Sequence, residues 1–117
     1  MENLLTHFAI NAKDVHVSAE FYKKMFGFVI EYETEGWAEL KMGNSGMELA
    51  IKKQFDGDSA SSSGIGFVVE NCRNATSVLK GRGAEIVKDC ESRENGTKYL
   101  TQVKDPDGDI IWLVQKI

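Results

Sequence analysis

The chain has 117 residues, of which 27% are charged, and its formal charge is −4. That length suits one domain, or two small modules sharing a core. An acidic balance without a basic cluster argues against a nucleic-acid partner. No apolar run reaches the roughly 20 residues of a membrane span, so no membrane partner is expected.

The first stretch, Leu4 to Ala12, reads as a nearly continuous apolar strand. Asp14 is placed to cap a helix over about Val15 to Phe26, with Val15, Ala19, Tyr22 and Phe26 at helical spacing. Gly27 ends it. Strands follow at about Phe28–Glu33, Trp37–Met42 and Met47–Lys53, with a Gly43-Asn44-Ser45-Gly46 turn between the last two. Phe55 to Gly64 is rich in Ser, Gly and Asp and has no periodicity, as a linker does.

The order then restarts. Ile65 to Glu70 reads as a strand, and Asn71 caps a helix of about ten residues with Ala75, Val78 and Leu79 on its apolar face. Gly81 and Gly83 end that helix. Strands are expected at Ala84–Lys88, Thr97–Val103 and Asp109–Lys116, the last two joined by an Asp105-Pro106-Asp107-Gly108 turn. Both halves read strand, helix, strand, strand, strand, which marks a duplicated module. The boundaries fall at about 1–54 for the first module, 55–63 for the linker and 64–117 for the second. Met1-Glu2-Asn3-Leu4-Leu5 lacks a signal-peptide layout, so the cytoplasm is the expected compartment. Cys72 and Cys90 form no Cys-x-x-Cys pattern and read as free thiols there.

Several stretches resemble the vicinal oxygen chelate superfamily, which includes glyoxalase I, bleomycin-resistance proteins and extradiol dioxygenases. They are His7, Asp14, the run from Ala19 to Phe28, Gly64 to Glu70, Leu79 to Glu85, and Asp105-Pro106-Asp107-Gly108. The resemblance implies an α+β fold in which two βαβββ modules form an open, barrel-like cleft with helices outside. It also implies a homodimer.

In metal-dependent relatives four inward side chains hold the ion. Here the resemblance places His7 and Glu48 at two of those positions. Alternation puts His7, Ala9 and Asn11 on one strand face, and sets Glu48 opposite Met47 and Leu49. The other two positions fall on Gly64 (or Ser63) and Trp112, which bring no metal donor beyond a serine hydroxyl. A catalytic zinc site uses three protein ligands. The expectation is therefore metal-free binding of a small, partly planar molecule, with no cofactor. His7, Glu48, Trp112, Trp37, Tyr99 and Phe55 are the candidate ligand-binding residues. The bleomycin-resistance branch binds its drug in an aromatic-lined groove of this kind. The alternative is a lyase, isomerase or dioxygenase of the glyoxalase kind using Zn, Ni or Fe on an incomplete site, with His7 and Glu48 as partial ligands. A metal-free His7–Glu48 acid–base pair is a third version.

Overall fold

The computed structural model describes residues 7–43, 47–54, 65–93 and 95–117, with His7 described by its backbone alone. The first half forms β1 (His7–Ala12), α1 (Val15–Phe26), β2 (Val29–Glu33), β3 (Trp37–Lys41) and β4 (Glu48–Lys53). The second forms β5 (Gly66–Val68), α2 (Cys72–Gly81), β6 (Glu85–Arg93), β7 (Lys98–Lys104) and β8 (Ile110–Lys116). These fall into two compact units, Met1–Ser61 and Ser62–Ile117. The proposed linker, 55–63, lies outside the described residues.

Both helices start where expected. The Asp14 carboxylate accepts the Val17 N–H, and the Asn71 side-chain oxygen accepts the Asn74 N–H. Gly27 ends α1 at φ 76°, a left-handed conformation that costs a glycine little. In each unit the first strand runs parallel to the fourth, and the remaining pairs are antiparallel. The strand orders are β1-β4-β3-β2 and β5-β8-β7-β6. The long crossover through the helix is what permits the parallel pair.

In the first unit Ile10, Ala38, Leu40, Leu49 and Ile51 are buried, as are Val15, Ala19, Tyr22 and Met25 of α1. Tyr22 packs edge-on to Phe28, with ring centres 6.0 Å apart. Phe8 shares a face with Ile10 but stays 53% exposed. The Ser18 hydroxyl is buried without a hydrogen-bond partner. Such a group costs about 1–3 kcal/mol. Ser18→Ala is therefore expected to raise unfolding stability by about 1 kcal/mol in urea, and a loss would show that the hydroxyl is needed.

The second unit departs from the expected helix face. Cys72, Thr76 and Leu79 are the buried side chains of α2, whereas Val78 is half exposed and Ala75 only partly covered. Two of the three carry polar groups, so hydrophobicity alone points to the wrong stripe. They are accommodated because Thr101 of β7 is buried opposite them and bonds to both.

The turn before β8 forms as expected. The Gly108 N–H donates to the Asp105 carbonyl at 3.0 Å, with Gly108 at φ 85°. Asp105 is buried, and its Oδ1 accepts the Asp107 and Asp109 N–H groups at 2.9 Å each. Burial, then the charges of Asp105 and Asp107, push the Asp109 carboxyl up to about 6. A folded-state pKa above the unfolded one means that protonation favours the fold. This stabilisation is complete below about pH 4 and is lost as pH rises through about 6. Asp109→Asn should therefore raise the melting temperature at pH 7 and leave it nearly unchanged at pH 4. An equal effect at both pH values would contradict the assignment.

Candidate functional site

Trp112 sits in the middle of β8, with Gln102 of β7 on one side and Gly66 of β5 on the other. Ile111 and Leu113, its chain neighbours, are buried on the helix side. Alternation therefore turns Trp112 to the opposite face, where it is 39% exposed. Gly66 leaves one flank of the tryptophan bare. A Cβ there would lie 3.8 Å from the Trp112 Cβ, an ordinary contact, so space alone does not demand glycine.

This face opens onto a cavity of about 500 Å³ lined by Lys88, Arg93, Lys98, Leu100, Gln102, Trp112 and Val114. That is within the usual range for a small-molecule site. Leu100, Gln102 and Lys98 share the face because they alternate along β7. None of Lys88, Arg93, Lys98 or Gln102 was singled out by sequence reasoning. Lys98 and Gln102 were within its reach, since both follow from β7 parity opposite Trp112.

Arg93 was not. Lys88 and Arg93 are an odd number of residues apart, so in a regular strand they would face opposite ways. β6 is irregular twice, between Ile86 and Lys88 and again between Lys88 and Glu91. The second irregularity contains Cys90 at φ 49°, a left-handed conformation unusual for a residue with a Cβ. A bulge adds one residue and resets the alternation. Lys88 consequently pairs with Gln102, and Arg93 with Lys98, on one cavity.

Tyr99 is not part of this surface, which corrects its placement with Trp112. It lies between Lys98 and Leu100 in the alternation of β7 and so points to the helix side. There it lines a small pocket with Asn71, Arg73, Cys90 and Gln115. Cys72 and Cys90 are free thiols on this same side.

In the first unit the backbones of His7 and Glu48 are ladder partners. The Glu48 carboxylate is 3.7 Å from the Lys41 ammonium, which also lies 3.4 Å from Glu31. That ammonium offsets part of the Glu48 charge. Trp37 is half-buried on β3 and donates its indole N–H to Glu39 at 3.0 Å. Phe55, Ser63 and Gly64 lie outside the described residues. His16 is exposed and pairs with Glu33 at 3.1 Å, and that carboxylate raises its pKa.

The two ladders also revise which positions correspond. Ala9 and Gly66 each stand five residues before their helix cap, and they pair with Ala50 and Trp112 respectively. Across the hairpins, Glu39 pairs with Ala50 as Gln102 does with Trp112. Trp112 thus matches Ala50, while Glu48 matches Ile110, which pairs with Lys104 as Glu48 does with Lys41. Neither Ile110 nor Trp112 carries a metal donor. Among the described residues no group of three His, Cys, Asp or Glu side chains could hold a metal ion. The described donors therefore do not fit the three-ligand set of a catalytic zinc site.

Two βαβββ units of this topology define a class of folds. The profile of the Glyoxalase/Bleomycin resistance protein/Dioxygenase superfamily matches residues 4–113, and the chain belongs to that superfamily. No curated protein matches it. A superfamily member from Sphaerobacter thermophilus DSM 20745 has a similar fold, with TM-score 0.83, 20% identity and 98% of each chain covered. TnmS3, an antibiotic binding protein from Streptomyces sp. CB03234, is 18% identical with TM-score 0.79, over 99% of this chain and 98% of its own. A glyoxalase/bleomycin resistance protein/dioxygenase from Nocardioides is 16% identical with TM-score 0.78, over 100% of this chain and 85% of its own. At these identities the likeness is one of fold. The chain has the α+β glyoxalase/bleomycin-resistance fold, with two four-stranded sheets.

Proposed function

We propose that this protein binds a small, partly planar molecule on the Trp112 face of its second sheet, without a metal. The observation that carries this is a large aromatic surface left 39% exposed on a cavity of about 500 Å³. A tryptophan kept out of the core offers a flat, apolar stacking surface together with one indole N–H. Leu100 and Val114 extend the apolar floor, and Gln102 adds a polar contact. A solved protein of similar fold, TnmS3, is described as antibiotic binding, which supports this class of ligand. The protein would act as a cytoplasmic homodimer.

The test is a titration with planar aromatic compounds followed by tryptophan fluorescence, alongside elemental analysis of protein purified without chelator. Saturable quenching without stoichiometric metal supports the reading. No quenching across a broad panel would sink it. The metal-dependent lyase or dioxygenase reading has one observation in its favour, the pairing of the His7 and Glu48 backbones. Stoichiometric Zn, Ni or Fe, lost on Glu48→Gln, would establish that reading instead.

A further inference from the structure

The cavity beside Trp112 has a charge that its chain lacks. Overall the protein is acidic, at −4. Yet the described residues lining the cavity include three cations, Lys88, Arg93 and Lys98, and no carboxylate. Cations so close together repel each other, and they are ordinarily dispersed or interleaved with acids. Here the bulge between Lys88 and Glu91 in β6 brings Lys88 and Arg93 onto one face, where Lys98 already stands.

The pairing of Lys88 and Arg93 leaves positive charge unspent. Lys88 makes no ion pair among the described residues. Arg93 places Nη2 2.7 Å from the Glu91 carboxylate, but its Nε is buried with no hydrogen-bond partner among the described residues. A buried N–H without an acceptor is costly, and an acceptor supplied by a ligand would remove that cost. The guanidinium fork suits a planar carboxylate or a phosphate held by two hydrogen bonds.

We propose that the ligand of the Trp112 site is an aromatic anion, with its ring system on the Trp112 indole and its carboxylate or phosphate held by Arg93, Lys88 and Lys98. This rests on the planar-ligand reading above and narrows it. Gln102, the ladder neighbour of both Trp112 and Lys88, lies between the stacking surface and the cations and can bond either part of the ligand.

Matched probes of one shape test it. The protein is titrated with 2-naphthoate, 2-naphthamide and 2-naphthyltrimethylammonium, following the Trp112 indole signals by NMR. The expected order has naphthoate binding at least about tenfold tighter than the amide, and the ammonium compound weakest. That margin should shrink between low and high salt, as the partly exposed cations are screened. Arg93→Gln and Lys88→Met should each reduce naphthoate binding toward that of the amide and leave the amide unchanged. Glu91→Gln, which releases the guanidinium from the carboxylate 2.7 Å away, should strengthen naphthoate binding. Equal binding of naphthoate and amide, insensitive to Arg93→Gln, would overturn the anion assignment while leaving planar-ligand binding intact. If none of the three naphthalenes moves the Trp112 signals, the planar-ligand reading falls and the anion assignment falls with it.

Discussion

Replacing Trp112 by alanine is expected to weaken the binding of a planar aromatic ligand by about thirtyfold, or roughly 2 kcal/mol, the usual scale for a central aromatic anchor. The variant lacks the stacking fluorophore, so its affinity is measured by calorimetry. Trp112→Phe should keep most of the affinity, because it keeps a stacking ring. It loses the quenching signal, so its binding must be followed by calorimetry. Unchanged affinity in Trp112→Ala would make this tryptophan a mere cover for Leu100 and Val114. The substitution should also cost little stability, because the side chain is 39% exposed and stands on the face away from the helix.

The parts of this site that sequence reasoning reached are those set by strict periodicity. Alternation along β8 is regular, so Trp112 must oppose Ile111 and Leu113. The caps Asp14 and Asn71, the left-handed Gly27 and the Asp105-Pro106-Asp107-Gly108 turn were equally legible, because each depends on local backbone chemistry. Tyr99 was misplaced with Trp112 for lack of the same parity count on β7. Arg93 belongs to another category. Its orientation depends on bulges that no residue in Lys88-Asp89-Cys90-Glu91 announces, since the left-handed residue is a cysteine where glycine or asparagine would be the usual signal. The α2 face was misread because two of its three buried side chains are polar and find their partner on a strand far away in the sequence. The match of Glu48 to Trp112 failed by one pleat, since turn length between paired strands is not fixed by motif similarity.

The bulge has a buried support, and its loss is the largest stability effect expected in the second unit. The protons around Thr101 can be assigned from its contacts. The Thr76 hydroxyl donates to the Cys72 carbonyl at 2.7 Å, so the 2.7 Å contact between the two threonines is filled by the Thr101 proton. The Thr101 oxygen is then left to accept the Cys90 N–H at 3.0 Å and the Cys72 thiol at 3.1 Å. Every group is satisfied, and the Cys90 amide at the left-handed residue is held by a side chain instead of a ladder bond. Thr101→Val keeps the volume but strands two buried donors and one acceptor. A loss of about 2–3 kcal/mol in urea unfolding is expected. Thr101→Ser should recover most of it, which simple loss of packing would not predict. The same variant should also weaken ligand binding, because a relaxed bulge no longer keeps Lys88 and Arg93 on one face. The thiol supplies an independent readout. Burial first, then the hydrogen bond with Cys72, push the Cys90 pKa up to about 11. The native protein should therefore react slowly with iodoacetamide at pH 8, and Thr101→Val should speed that reaction at Cys90 as the bulge opens. Rapid alkylation of the native protein, or a Thr101→Val variant as stable as the parent, would show that the network does not hold the bulge.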